Sequence, residues 1–222
     1  MRLTVLGGCG GWPAAGLACS GYLVEHDGFR LLIDPGYAIV PRLLEVTDAA
    51  AVDAVLVSHG HPDHCADLNP LLRARAMTDE PPSALPVFAP HGALGPVLAL
   101  DRPGMLDDAI ALREFTPGDG LEVGPFGVSS WLLPHWMPNA GLRLEADGEV
   151  LAYTGDSGPS PLLADLARGA GIFLAEARAG RLVLTHLWPG TDSDEAVRAA
   201  AGSYPGEIAV ASPGLVTEPG LR

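Results

Sequence analysis

The sequence contains no lysine. Its 13 basic residues are all arginine and face 27 acidic ones, for a formal net charge of −14. A chain so acidic does not steer a long polyanion by its surface field, and no basic arm offers to hold an RNA, so no long nucleic-acid partner is expected. Cysteine is scarce too. Cys9, Cys19 and Cys65 are an odd number in 222 residues, a length that needs no disulfide framework. Reduced thiols and a cytoplasmic setting follow. No apolar run is long enough to cross a membrane. The opening MRLTVLGG reads as a strand, without the apolar segment and cleavage site of a leader.

What is present is a chain of 48% hydrophobic residues, enough for a proper core in one domain or two fused halves. RLTVLGG is a short strand running into the glycine-rich loop GGCGGWP. That loop lacks both GxGxxG and GK[ST], so close backbone packing is preferred over a nucleotide cradle. Two apolar runs around Asp27-Gly28 signal a hairpin. A helical piece near 39–46, a buried strand DAVLVSH (53–59) and a helix at 65–77 follow. After a proline-rich connector come the short strand VFAP and a helix near 94–100. The second half repeats the style, with strands through 112–156, a helix at PLLADLARG, strands IFLAEA and RLVLTH, helix DEAVRAAAGSY and strand EIAVASPG. Strands give way to helices twice. The expectation is α/β: a single domain over 1–222 of two similar halves, with a boundary near 105–120, two β-sheets packed face to face and helices outside.

The chemistry collects where strands end. SHGHPDHCADL, residues 58–68, places His59, His61, Asp63 and His64 directly after an apolar run. Three other strands finish on side chains of the same kind, at His135, Asp156 and His186. Neighbouring strands lie about 5 Å apart, so such ends can converge in one crevice. His59 and His61 alternate by two and point the same way in an extended loop, whereas Asp63 and His64 lie past Pro62 at a helix mouth, where they can turn to a second point. Three imidazoles and a bridging carboxylate suit one Zn²⁺, and two carboxylates with two imidazoles suit a neighbour. Mn²⁺ or Fe²⁺ would also tolerate the carboxylates. Cys65 reads as a small buried residue of the first helical turn, and His26 and His91 as ordinary core or surface histidines. Trp136, Asn139, Ser157 and Trp188 adjoin these side chains and are candidates for a substrate pocket; packing explains each equally well.

HGHPDH resembles the HxHxDH signature of the metallo-β-lactamase fold superfamily, and His135, Asp156 and His186 stand in the order of its remaining ligands. The resemblance covers essentially the whole chain. It implies the four-layer αββα sandwich, with His59, His61 and His135 on a first metal, Asp63, His64 and His186 on a second, and Asp156 bridging. It also implies that Asp34, in LLIDPG, supports the metal loop by hydrogen bonds. Asp rather than Cys at 156 resembles the dinuclear hydrolases of the superfamily. VLGGCGG, CSGYLVE, AYTGDS and LTHLWPGTD look most like its ribonuclease Z-like branch, which includes small bacterial cyclic-nucleotide phosphodiesterases and is often dimeric, so a homodimer is the expected oligomer.

The expected activity is hydrolysis of a small anionic phosphodiester, such as a 3′,5′-cyclic nucleotide, by a hydroxide between two Zn²⁺ ions, with Asp63 orienting it. Two alternatives stand beside it: an ester, thioester or lactone hydrolase on the same scaffold, and a metal-binding module without turnover. Arginines placed to clamp a phosphate would separate the two enzymes, and Arg143, Arg178 and Arg181 are the ones to locate. One feature conflicts with the resemblance. IFLAEA and RLVLTH should run parallel with a helix-bearing crossover, yet only Arg178-Ala179-Gly180 joins them. Either they form an antiparallel hairpin or a crossover segment is absent, and absence is favoured. In the ribonuclease Z-like branch that segment carries a histidine assisting phosphate or proton transfer. No residue here matches it, so the general acid is unassigned.

Overall fold

The computed structural model describes residues 1–175, 181–187, 189–201 and 207–217. The chain builds β1 (Arg2–Gly7), β2 (Gly21–His26), β3 (Phe29–Ile33), α1 (Ile39–Leu44), β4 (Ala54–Leu56), α2 (Pro62–Cys65), α3 (Leu68–Ala76), β5 (Leu85–Pro90), α4 (Gly95–Leu98) and β6 (Ile110–Phe115). It continues with β7 (Gly120–Val123), β8 (Phe126–Leu133), β9 (Asn139–Ala146), β10 (Glu149–Tyr153), α5 (Leu162–Leu166), β11 (Ile172–Leu174), β12 (Arg181–Leu184), α6 (Ser193–Ala201), β13 (Glu207–Val210) and β14 (Val216–Thr217). One seven-stranded sheet has the order β14-β1-β2-β3-β4-β5-β6 and the other β13-β12-β11-β10-β9-β8-β7. The chain changes sheets between Phe115 and Gly120, and β14 returns to pair antiparallel with β1. The halves are therefore not cleanly separate.

Alternation of side chains along the strands explains the layering. Leu3, Val5, Tyr22, Val24, Leu31 and Ile33 from the first sheet meet Leu142, Leu144, Leu151, Tyr153, Ile172 and Leu174 from the second in one central core. The opposite parity, Leu23, Leu32, Val55 and Val87, packs under α1 and α3 through Ile39, Leu43, Leu68 and Leu72. On the second sheet Ala152 and Phe173 pack against Leu166 of α5, and Leu184 and Ile208 against Val197 and Ala200 of α6. Both faces of both sheets are thus covered, which is the αββα sandwich, and the central strands accordingly read as near-continuous apolar runs. Two Asp-Gly hairpins, Asp27-Gly28 and Asp147-Gly148, have positive φ at both positions (49° and 82°, 48° and 78°), as tight hairpin turns require.

Where the sequence suggests one helix over 65–77, the structure has two, because the chain turns at Ala66-Asp67 after the four residues of α2. Asp67 Oδ2 there accepts a hydrogen bond from Val40 N at 2.8 Å, tying the break to α1. β11 and β12 pair in parallel, Phe173 with Leu182 and Leu174 with Val183, so the antiparallel alternative is corrected by the backbone register. Residues 176–180, including Arg178, lie outside the described residues. Among the described residues no helix is long and apolar enough to cross a membrane.

Candidate metal centre

β4 ends at Leu56, and the chain then runs buried through Val57 and Ser58 to His59. His61 is extended (φ −69°, ψ 143°) just before α2, whose first residue is Pro62, so the chain turns sharply and sends Asp63 and His64 in another direction. Across the sheet interface, His135 follows β8, Asp156 follows β10 and His186 follows β12. All seven converge. His59, His61, His135 and Asp156 form one group, and Asp63, His64, Asp156 and His186 a second, each able to offer one ligand atom within 4.8 Å of the others. Asp156 belongs to both.

Imidazole nitrogens face one another in the first group. His59 Nε2 lies 3.1 Å from His61 Nδ1, and His135 Nε2 lies 2.9 Å from the same atom. Zinc–nitrogen bonds of about 2.0–2.1 Å at tetrahedral angles set nitrogens about 3.3 Å apart, close to these separations. In the second group, Asp156 Oδ1 stands 3.1 Å from His64 Nε2 and 3.0 Å from His186 Nδ1. These three atoms are buried and make no hydrogen bond among the described residues. They lie within ion-pair distance of one another instead, and such a convergence of buried nitrogen and oxygen donors fits a divalent cation. Seven His and Asp donors in two groups thus suit two metal ions.

Charge follows the same geometry. Burial pushes the His59 imidazole well below its ordinary pKa, with His64 adding to the effect, so His59 is neutral and able to ligate. Burial works against the His64 imidazolium, but the carboxylates of Asp156 and Asp34 outweigh it and hold the group up at about 10. For Asp156, burial is outweighed by His186 and His64, which keep it below the usual carboxylate range. Burial pushes the Cys65 thiol up to about 12, while its Sγ donates to the His61 carbonyl at 3.3 Å; it takes part in neither group.

Asp34 lies beneath the centre, fully buried and with φ at 48°, a conformation that costs a non-glycine residue about 1–2 kcal/mol but suits Asp better than most. Its Oδ1 accepts from Ser58 N at 2.7 Å. Its Oδ2 is within hydrogen-bond range of Ser58 Oγ (2.6 Å), the Tyr153 hydroxyl (2.7 Å) and His64 Nδ1 (2.8 Å). Because the single Ser58 hydroxyl proton goes to Asp34, Ser58 Oγ is left to accept from His59 Nδ1, 3.0 Å away. One carboxylate therefore holds the Nδ1 proton of both histidines, so that each ring, when neutral, has Nε2 free of a proton. Tyr153 and Ser58 escaped the sequence reading; a buried tyrosine three residues before Asp156 needs an acceptor, and that was the available signal.

The glycine-rich loop after β1 packs closely, as its sequence suggests. Gly11 N donates to Asp63 Oδ2 at 2.8 Å, and Gly10 N to the Leu187 carbonyl at 3.0 Å. A Cβ at Gly10 would come within 2.7 Å of the His186 carbonyl. His186 itself has φ at 58°, a strained conformation at a site residue. Gly36, in the Asp34 turn, leaves room for the Asp63 backbone, whose carbonyl a Cβ there would overlap.

A cavity of about 250 Å³ opens over the centre, lined by Trp136, Ser157, Thr154 and Thr185 together with His135, Asp156 and His186. Asn139 does not line it. It is fully buried, and its Nδ2 donates to the Thr154 carbonyl at 3.0 Å and the Asp156 carbonyl at 2.7 Å, holding the turn that carries Asp156. Trp188 lies outside the described residues. Arg143 faces away, tied to Glu145 and to the carbonyls of Leu166 and Arg168. Away from the centre, His26 Nε2 meets Asp147 Oδ2 at 3.0 Å and His91 Nδ1 meets Glu114 Oε2 at 3.3 Å.

The family model described as "Beta-lactamase superfamily domain" matches residues 29–210. The chain belongs to the β-lactamase superfamily. Within it, the chain is 30% identical to "Probable metallo-hydrolase YhfI" of Bacillus subtilis, over 98% of this chain and 100% of that protein. The crystal structure of the metallo-β-lactamase fold protein YhfI superposes with a TM-score of 0.88 at 26% identity, covering 98% of this chain and 99% of that one. "Ribonuclease Z" of Methanopyrus kandleri is 36% identical over 141 residues, 63% of this chain and 48% of that protein. The Bacillus alignment runs over 247 positions, more than the 222 residues present here, so that superfamily relative carries residues with no counterpart in this chain.

Proposed function

We propose that this protein is a metal-dependent hydrolase with two Zn²⁺ ions, Mn²⁺ or Fe²⁺ being the other metals its ligands suit, acting on a small phosphodiester such as a 3′,5′-cyclic nucleotide. The observation that carries the reading is the pair of ligand groups joined at Asp156, with buried Nε2 of His64, Oδ1 of Asp156 and Nδ1 of His186 turned toward one point. His59, His61 and His135 with Asp156 would hold one ion, and Asp63, His64 and His186 with Asp156 the other. When bound, two such ions acidify a water to near neutrality and neutralise the charge of a phosphodiester.

The chain's own residues do the rest. Asp63, steadied by Gly11 N, orients the attacking water through its carboxylate. Asp34, through His64 and Ser58, keeps the imidazoles turned to their task. Thr185 and Ser157 line the cavity, with their hydroxyls held by the Tyr22 hydroxyl and the Gly158 carbonyl respectively. The surface repels long polyanions at a net charge of −14, while two divalent ions add about four positive charges at the cavity alone, so a small anion is the fitting substrate. The names of the relatives, metallo-hydrolase and ribonuclease Z, support hydrolysis and a phosphodiester respectively. Three buried free cysteines accord with a reducing compartment, and we take the cytoplasm as its setting.

A second reading, hydrolysis of an ester, thioester or lactone, is favoured by one observation: no arginine is among the described residues that line the cavity. Hydrolysis of cyclic AMP by zinc-loaded protein at neutral pH, beside an Asp63→Ala control, tests the proposal. Turnover lost in the control supports it. Metal binding without turnover on the diester, together with turnover on a carboxylic ester, refutes it in favour of the second reading.

A further inference from the structure

We infer that Trp136 and the groove beside it form a subsite for an uncharged, apolar or aromatic group of the substrate, adjoining the metal centre. The inference rests on the hydrolase reading and deepens it. Trp136 follows His135 directly and is 96% exposed, an unusual state for a large aromatic side chain. It is not on a slack loop. Pro134 and Pro138 bracket it, each with a fixed φ, and the Pro134 carbonyl accepts from Gly158 N at 2.9 Å, anchoring the loop to the turn after Asp156.

Two hollows meet at this tryptophan. On one side is the cavity of about 250 Å³ over the ligands; on the other a groove of about 510 Å³, and His135 and Trp136 line both. Sites for small molecules usually enclose about 300–1,000 Å³. The cavity alone therefore accepts the reacting group and little more, and among the described residues the rest of a substrate can leave it past Trp136 into the adjoining groove. The groove it would enter is walled by Leu132, Pro134, Met137, Pro138 and Leu162, with Ser160 as its one hydroxyl. None of its described lining residues is an acid, a lysine or an arginine. A second phosphate or a carboxylate would find no partner there, whereas a planar ring can stack on the indole and bury itself against the leucines. Leu132 (56% exposed) and Leu162 (38% exposed) leave that surface open to receive it.

The test compares two diesters with one leaving group, phenyl 4-nitrophenyl phosphate and methyl 4-nitrophenyl phosphate, on zinc-loaded protein. The quantity read is the ratio of their kcat/KM values in each variant relative to the parent, which cancels their intrinsic reactivities. Trp136→Ala should lower the phenyl-over-methyl ratio about tenfold, Trp136→Phe should retain most of it, and Leu162→Asp, altering the other wall, should lower it as well. A binding arm needs no turnover: diphenyl phosphate should bind more tightly than dimethyl phosphate, by calorimetry, and Trp136→Ala should erase the difference. An unchanged ratio in both variants, with both diesters hydrolysed, overturns the subsite and leaves the hydrolase reading intact. If neither diester is hydrolysed, the hydrolase reading on diesters fails, and the binding arm alone upholds or overturns the groove. A variant that turns dimer into monomer with the ratio unmoved assigns the groove to a second copy of the chain and also overturns the inference.

Discussion

Replacing Asp34 by Asn changes one charge while keeping the shape, and Asn tolerates the left-handed backbone found at this position (φ 48°). Ser58 N would still have an oxygen to donate to, but the new NH₂ group would face Ser58 Oγ, the Tyr153 hydroxyl and His64 Nδ1, which lie 2.6, 2.7 and 2.8 Å from the present Oδ2. The two hydroxyls can rotate and accept. An imidazole cannot rotate away its proton; His64 Nδ1 would become the acceptor, and the ring proton would move to Nε2, the atom that faces Asp156 at 3.1 Å. The Ser58 hydroxyl, once turned, would likewise donate toward His59 Nδ1 and so favour the tautomer whose ring proton sits on Nε2. Loss of such a supporting hydrogen bond costs about 10–100-fold in metal affinity, or about 1.4–2.7 kcal/mol, and both sites should feel it. The assay is zinc competition with a chromophoric chelator on parent and Asp34→Asn proteins, with thermal unfolding as a check on the fold. Parent-like zinc affinity at both sites would refute the tautomer argument.

Asn139→Ala leaves the carbonyls of Thr154 and Asp156 without their donor inside the protein; a cost of about 2 kcal/mol should lower Tm by about 4–8 °C, with zinc stoichiometry retained by atomic absorption. Gly36→Ala forces a methyl into the Asp63 carbonyl, and should destabilise by about 1–3 kcal/mol or more in urea unfolding, because that backbone cannot retreat without moving His61 and His64. Removing metal with a chelator should lower Tm, and restoring zinc at 100 times its Kd should return about 2.7 kcal/mol; a Tm indifferent to metal would count against the centre. His64, held at about 10 against an unfolded value near 6.5, carries a proton at neutral pH. Between those values protonation favours the folded chain and opposes metal at Nε2, so zinc affinity should rise by about tenfold per pH unit from pH 6 to 8, with proton release seen by calorimetry.

Much of the candidate centre was legible because side chains fit to bind a metal are chemically rare and cluster in sequence. HGHPDH stands out, and His135, Asp156 and His186 each close an apolar run, so candidate ligands could be picked at strand ends, and the resemblance to the superfamily ordered them, without knowing which strands were neighbours. The fold class was legible for a similar reason: alternating and continuous apolar runs, separated by Asp-Gly turns, mark strands whatever their order. The resemblance to the superfamily then supplied the sandwich, which the family match and the paired sheets bear out.

The tertiary structure decided what depends on distance through space. Asn139 sits in sequence beside the ligands and reads as a pocket residue, but the register of β8 and β9 turns its amide inward, onto the carbonyls behind Asp156. Trp136, three residues earlier, stands 96% exposed, and nothing in the letters separates these fates. Arg143 could not be located from sequence; its position on β9 ties it to Glu145 and the Arg168 carbonyl, away from the cavity. The parallel pairing of β11 and β12 across so short a connection, the return of β14 to the first sheet, and the single carboxylate of Asp34 governing two histidines are likewise facts of the folded chain. A sequence states which donors and acceptors exist; only packing determines which of them come within 3 Å.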